Sequence, residues 1–92
     1  MTARHKNRPP TPPGEMLAET LSDMGMTQGQ LAEKMGIPIQ RVNLIINGHR
    51  SISAETAILL ARAFGTTPHY WLNAQNDVDL WNAERELGAA TP

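Results

Sequence analysis

The sequence contains no cysteine, and no apolar run in it approaches the roughly 20 residues that a membrane-spanning helix needs. The missing cysteines exclude a disulfide framework and a thiolate metal site, which fits a reducing compartment. The first residues also lack the hydrophobic segment of a secretion signal. These absences favour a protein that stays in the cytoplasm and has no membrane partner.

The sequence also lacks the side-chain groupings that catalysis or metal binding requires. The histidines lie far apart, with no carboxylate at metal-ligand spacing, and they are His5, His49 and His69. The serines fall where a helix surface, a loop and a helix cap are predicted, at Ser22, Ser51 and Ser53. We therefore expect no enzyme activity, no metal and no cofactor.

Net charge is also low, at −1 for 92 residues, but the charges are segregated. Acidic residues concentrate in 15–23 and 77–86, whereas residues 27–50 contain three basic side chains and one acidic side chain, Glu33. A protein that binds a polyanion needs a locally positive face and not a positive total. The low net charge therefore does not exclude nucleic-acid binding.

Residues 1–12 are predicted to form a flexible, disordered basic arm. They contain Arg4, Lys6 and Arg8, three prolines and almost no apolar side chain, a composition that cannot support a packed core. Such an arm can follow a DNA backbone, and the alternative is an inert tail. Residues 13–88 are predicted to form a single small domain, because a chain of this length has room for one modest core.

Apolar residues at helical spacing predict an all-α domain with five helices. The first helix is predicted over residues 13–24 and ends at Gly25, and its buried stripe comprises Met16, Leu17, Thr20, Leu21 and Met24. The fourth helix follows a Ser53 cap and ends at Gly65. Its core-facing residues are predicted to be Ala57, Ile58, Leu60, Ala61 and Phe64.

Residues 27–48 have the pattern of two short helices joined by a tight turn. Thr27 is predicted to cap the first, and Gly36 can adopt the positive φ that the turn requires. Ala32 permits a close helix crossing, and Pro38 fits the first turn of the second helix. The predicted inward residues are Leu31, Met35, Ile37, Val42 and Ile45. The agreement of these features favours a DNA-binding helix-turn-helix over an ordinary αα-hairpin.

If Val42 and Ile45 face inward, the second of these helices turns its polar face outward. Amides on that face can pair with adenine, arginine with guanine or phosphate, and aliphatic groups with a thymine methyl. The residues predicted to contact DNA from this helix are Pro38, Ile39, Gln40, Arg41, Asn43, Leu44 and Asn47. Phosphate contacts are predicted for Thr27, Gln28, Gln30, His49 and Arg50. Each alone is equally explained as a solvated side chain, but together they favour DNA contact.

The last segment, which begins at Thr67 and Pro68, can be one long helix or two helices divided at Asn76-Asp77. A seam with spacings suited to helix packing runs through it, comprising Trp71, Ala74, Val78 and Trp81. Its first turn can also close the domain's own core. A domain this small has little room for the outer part, so the seam predicts a contact between two copies of the chain.

Several segments resemble the HigA antitoxins of bacterial toxin–antitoxin modules. The resemblance covers roughly residues 12–81 and rests on 12–17, 36–38, 41–43, 46–53, 55–57, 60–61, 64–68, 71–73, 75 and 79–80. Its most specific part is the closing Phe-Gly-Thr to Trp-Leu-Asn portion. Leu44 and Val78 depart from the residue types that are frequent in the family at those positions.

The resemblance implies a five-helix domain of the phage-repressor type that forms a homodimer and represses its own operon. It also implies a partner, a HigB-type toxin that cleaves mRNA on the ribosome. Dimer symmetry predicts double-stranded operator DNA with an inverted repeat. Because such toxins are expected to be basic, toxin binding is predicted on the acidic first helix, at Glu15, Glu19 and Asp23. The alternative is a stand-alone helix-turn-helix transcription regulator without a toxin.

Overall fold

The computed structural model describes residues 8–90, and the side chains through residue 88. It contains five α-helices and, within those residues, no strand: α1 (Pro13–Met24), α2 (Gln28–Met35), α3 (Ile39–Ile46), α4 (Ala54–Phe64) and α5 (Pro68–Ala90). The predicted all-α, five-helix architecture is confirmed. Of the predicted basic arm, residues 1–7 lie outside the described residues.

Helices α2 and α3 are joined by the predicted tight turn. At the start of α2, the Thr27 hydroxyl accepts from the Gln30 N–H at 3.0 Å, while the Gln30 side-chain oxygen accepts from the Thr27 N–H at 2.8 Å. This capping box satisfies two backbone donors. Gly36 ends α2 with φ 72°, a conformation that a residue with a Cβ rarely adopts. The sequence therefore fixes both ends of α2 locally.

Pro38 does not lie in the first turn of α3, where its sequence position predicted it. It is the N-cap, with φ −66° and ψ 146°, and α3 begins at Ile39. The ring fixes φ near −65° but leaves ψ free to be extended, as an N-cap requires. The Pro38 carbonyl still accepts from the Arg41 N–H at 3.0 Å, so it closes the first turn from outside the helix.

One core joins all five helices. Its largest fully buried side chains come from α1 to α5 in turn: Leu17, Leu31, Val42, Ile45, Leu60 and Trp71. Of the residues predicted to face inward in α2 and α3, Leu31, Met35, Val42 and Ile45 are buried, and Ile37 packs partly exposed against the core. Helix α3 packs on α1 and α2, whereas α4 packs on α2 and α5.

Two predicted core residues lie at the surface instead. Met24 is the last residue of α1, and Ile58 in α4 stands outside the buried stripe of that helix; both are exposed. The buried residues of α4 are Thr56, Ala57, Leu60 and Ala61. At about 100° per residue these four positions form one buried arc of α4, and Ile58 lies beyond the edge of that arc.

Gly14 allows the N-terminus of α1 to approach the end of α3 closely. A Cβ on Gly14 would overlap the backbone carbonyl oxygens of Ile45 and Ile46. Gly14 is buried, and both neighbours are backbone atoms that cannot rotate away. The glycine therefore sets how near α1 stands to the C-terminal end of α3.

Helix α5 is continuous from Pro68 to Ala90, so Asn76-Asp77 does not break it. Trp71 is fully buried, and its indole N–H donates to the Thr66 hydroxyl at 2.9 Å. Ala74 is buried as well. The prediction that Trp71 and Ala74 contact a second copy is therefore wrong, because both face the core of their own chain. In the described part of the chain, no helix is long and apolar enough to cross a bilayer.

Candidate nucleic-acid interface

The exposed face of α3 carries most of the residues predicted to contact DNA. Val42 and Ile45 are buried, and this fixes the rotation of α3 about its axis. The residues left exposed on the helix and at its C-terminus are Ile39, Gln40, Asn43, Leu44 and Asn47. Pro38, at the N-cap, is exposed beside them. Helix α3 thus presents a mixed amide and aliphatic face outside the core.

Three amide side chains on this face are joined by hydrogen bonds. The Asn47 Nδ2 donates to the Asn43 Oδ1 at 3.1 Å, and the Asn43 Nδ2 donates to the Gln28 Oε1 at 3.3 Å. Gln28 belongs to α2, so these bonds connect the two helices of the helix-turn-helix on their outer side. The bonds orient the amides before any ligand arrives, which lowers the entropy cost of binding.

A shallow groove runs between the first turns of α2 and α3, with a volume of about 430 Å³. Its lining residues are Gln28, Ile39, Gln40, Asn43 and Leu44. We call it the α2–α3 groove. Gly29 lies close to one of these residues, since the Ile39 Cδ1 stands 3.6 Å from the position that a Cβ on Gly29 would take. None of the lining side chains is ionisable, so the groove is uncharged, and aliphatic carbon makes up most of its lining surface.

Arg41 does not extend from α3 in the same direction as these residues. Its Nη2 donates to the Thr56 hydroxyl at 3.2 Å and stands 3.7 Å from a carboxylate oxygen of Glu55. The Arg41 side chain is 24% exposed, and its Nε is buried without a hydrogen-bond partner. Thr56 also accepts from the Ser53 hydroxyl at 3.0 Å. The guanidinium therefore ties the start of α3 to the first turn of α4.

The residues predicted to meet phosphates lie in two places, at the N-terminus of α2 and in the loop after α3. Thr27, Gln28 and Gln30 lie at the N-terminus of α2, where backbone N–H groups and the helix dipole favour anions. His49 and Arg50 are exposed in the loop between α3 and α4. Both places carry donor groups of the kind that contact phosphates in protein–DNA complexes.

Gln75 is one of the positions on which the family resemblance rests, but its structural role was not indicated by the sequence. From α5, its side-chain oxygen accepts from the Ile52 N–H at 2.9 Å, and its Nε2 donates to Asp79 at 3.0 Å. The bond to Ile52 holds the loop that carries His49 and Arg50 against α5. The pairing joins positions 23 residues apart in sequence, so no local pattern could reveal it.

The acidic side chains of α1 lie on one exposed face, away from the core residues Leu17 and Leu21. They are Glu15, Glu19 and Asp23, four residues apart, and we call them the acidic row. Side chains at this spacing stand one above another on a helix. A basic partner would therefore find three carboxylates aligned along about two turns of α1.

Known proteins are similar to this chain both in sequence and in the arrangement of their helices. The family model described as helix-turn-helix matches residues 17–71. Antitoxin HigA-1 of Vibrio cholerae is 48% identical over 80 residues, which covers 86% of this chain and 75% of that protein. The chain belongs to the HigA family of helix-turn-helix antitoxins. This confirms the family that the sequence motifs indicate.

Solved structures of other HigA proteins have the same fold. An antidote protein of the HigA family from Coxiella burnetii superposes with a TM-score of 0.85 at 45% identity, over 92% of this chain and 99% of that one. A Pseudomonas aeruginosa antitoxin HigA, solved with the higBA promoter, gives 0.83 at 34% identity, over 88% and 89% of the two chains. A HigA protein with this helix arrangement thus binds promoter DNA.

Proposed function

We propose that the protein is a DNA-binding antitoxin that represses its own operon and neutralises a HigB-type mRNA endonuclease in the cytoplasm. The observation that carries the DNA-binding part is the α2–α3 groove with its hydrogen-bonded amides. It lies on the face of α3 that a helix-turn-helix turns toward the major groove. Support comes from the HigA relative solved with promoter DNA, which has the same helix arrangement.

The proposed contacts divide between bases and phosphates. Gln40, Asn43 and Leu44 face the bases from α3, with Ile39, Asn47 and Pro38 beside them. The flanking residues, which are Thr27, Gln28, Gln30, His49 and Arg50, hold the sugar–phosphate backbone. Arg41 supports the interface from behind α3 through its bond to Thr56. The chain is thus expected to bind DNA with modest electrostatic affinity and to depend on base contacts for selectivity.

We also propose that two copies associate through the outer half of α5. Val78 and Trp81 are half-buried, and Leu80 and Leu87 are exposed. The Arg85 guanidinium stands 5.6 Å from the Trp81 ring, within cation–π range. A symmetric dimer with two α3 helices reads an inverted repeat with half-site centres about 10 base pairs apart.

The acidic row is the proposed site for the toxin. Glu15, Glu19 and Asp23 are exposed on α1, while the DNA-contacting residues lie on α2, α3 and the loop after α3. Separate surfaces would let one chain bind toxin and operator together. A ribonuclease that cleaves a polyanion is expected to be basic, and opposite charge raises the rate of association.

The test combines the neighbouring gene with the DNA upstream of the operon. The chain is co-expressed with the product of the adjacent gene, and the purified chain is titrated against labelled upstream DNA at fixed salt. We expect a stable complex with a small basic protein and loss of that protein's toxicity. We also expect the labelled DNA to bind the chain at submicromolar concentrations of the chain. Operator binding without a toxin complex would instead support the stand-alone regulator. Absence of DNA binding would overturn the proposal.

A further inference from the structure

The α2–α3 groove is uncharged although it lies on the face proposed to meet a polyanion. Gln28, Gln40 and Asn43 contribute amides, and Ile39 and Leu44 contribute aliphatic surface. Amides can contact phosphates, as proposed for Gln28, but a groove without lysine or arginine is not built mainly for phosphates. Amides and aliphatic groups instead suit the edges of bases. The chemistry of the groove therefore specifies what kind of base pair it accepts.

Guanine lacks its usual partner in this groove. Arginine or lysine is the commonest reader of guanine, because its donors match the two acceptors on the guanine edge. The one basic residue of α3 is Arg41, and it donates to Thr56 while lying beside Glu55. Turning Arg41 toward DNA would break that bond and leave the buried Thr56 without this donor. Because Arg41 is bonded to α4, it is not available to contact a base from α3.

Gln40 has the donor and acceptor pattern that adenine requires. An amide offers one acceptor and one donor side by side, which match the N6 amino group and N7 of adenine. Asn43 and Gln28 are already bonded to each other, whereas Gln40 makes no side-chain hydrogen bond among residues 8–88. Its amide is exposed and lies in the groove. Gln40 is therefore the amide free to read a base.

Ile39 and Leu44 form an apolar surface in the same groove. They are 47% and 39% exposed, and both line the groove beside its amides. Thymine is the base with a methyl group on its major-groove edge, and aliphatic contact with that methyl distinguishes it from cytosine. Adenine and thymine stand in one base pair, so both halves of the groove can be occupied together.

We propose that α3 reads an A·T pair, with Gln40 on the adenine and a thymine methyl seated between Ile39 and Leu44. The proposal rests on the proposed function, since it requires this face to enter the major groove of DNA. Arg41 acts as a positioning residue: it orients α3 through Thr56 and reads no base. Each recognised half-site therefore contains an A·T pair opposite the α2–α3 groove, and no arginine takes part in its recognition.

The test begins with selection of random double-stranded oligonucleotides by the purified full chain. Each thymine of the selected site is then replaced in turn by deoxyuridine, which removes only the methyl group. We expect one thymine in each half-site at which this change weakens binding about four-fold, as loss of one buried methyl predicts. No protein variant is needed for this step, so the result does not depend on the folding of a mutant.

Protein variants then assign the effect to the groove. Leu44→Ala should reduce the preference for thymine over uracil duplexes, and Gln40→Ala should accept other pairs at the adenine position. The matched control is Ile58→Ala, an aliphatic residue on α4 with a similar exposure of 41%, which should keep the thymine preference. Arg41→Gln should lower affinity for all selected duplexes by a similar factor and leave the preferred bases unchanged.

The outcomes separate this inference from the function on which it rests. If no duplex is enriched, the proposed DNA binding fails and the inference fails with it. If a site is selected but uracil replaces every thymine without loss, DNA binding stands and the A·T inference is overturned. The A·T inference is also overturned if Arg41→Gln abolishes a preference for guanine, because Arg41 would then be a base reader.

Discussion

Replacing Gly14 with alanine tests the close approach of α1 to α3. The added Cβ would overlap the carbonyl oxygens of Ile45 and Ile46, and neither can rotate away because both belong to the helical backbone. The two helices must therefore move apart. Overpacking of this kind typically costs about 1–3 kcal/mol of unfolding free energy. Alanine's higher helix propensity offsets at most about 1 kcal/mol. We expect a net loss of about 1–2 kcal/mol, which lowers Tm by roughly 4–16 °C in a domain of this size.

The matched control is the same substitution at Gly29. A Cβ there meets the Ile39 Cδ1 at 3.6 Å, an ordinary van der Waals distance, and Gly29 lies inside α2. Gly29→Ala should leave stability unchanged or raise it by up to about 1 kcal/mol. Thermal and urea unfolding at a fixed chain concentration measure both variants, since oligomerisation makes Tm concentration-dependent. A Gly14→Ala chain as stable as the parent would refute the idea that Gly14 sets the distance between α1 and α3.

Three further tests address the remaining contacts. Arg41→Ala and Thr56→Val should be non-additive in unfolding free energy by about 1 kcal/mol, since each removes the same hydrogen bond; simple additivity in a double-mutant cycle would contradict the tie. Trp81→Glu should weaken dimerisation at least ten-fold in sedimentation equilibrium by placing a charge in the α5 contact, with Ile58→Glu as the control; an undisturbed Trp81→Glu dimer would count against that contact. Reversing the three charges of the acidic row should impair toxin binding and spare operator binding, and a full-strength toxin complex would argue for another surface.

Local chemistry made the helix boundaries predictable from sequence. Thr27 with Gln30, and Gly36 with its positive φ, act within one or two turns of the chain, so their effect can be deduced without the tertiary structure. The sequence predicts Pro38 in the first turn of α3, whereas the structure has it at the N-cap, directly before the helix. The helical spacing of apolar residues also predicts the buried faces of α2 and α3. In α3, only one rotation about the helix axis directs both Val42 and Ile45 into the core.

Contacts between distant segments could not be predicted in the same way. The apolar spacing that includes Trp71 and Val78 predicts an apolar stripe on α5, but it does not show whether the chain's own core or a second copy packs against that stripe. In the structure the chain's own core buries Trp71 and leaves Val78 half-exposed. Arg41 lies toward the edge of the outer face of α3, and its partner depends on where the loop at residues 47–53 places α4. A glycine at the second position of α1 gave no sequence signal that backbone atoms of α3 lie against it.

These non-local contacts together determine how α3 is presented. Gly14 sets the position of its C-terminal end against α1, and Arg41 ties its N-terminal half to Thr56 on α4. Gln75 holds the loop that follows through the Ile52 N–H. In the proposed complex none of the three reads a base, yet each fixes the helix that carries the readers. Changes at these residues should therefore alter affinity for every DNA sequence by a similar factor, whereas changes at Gln40 or Leu44 should alter which sequence is preferred. In the proposed complex, support and reading are separable because the supporting contacts involve α1, α4 and α5, whereas the base-reading side chains lie on the exposed face of α3.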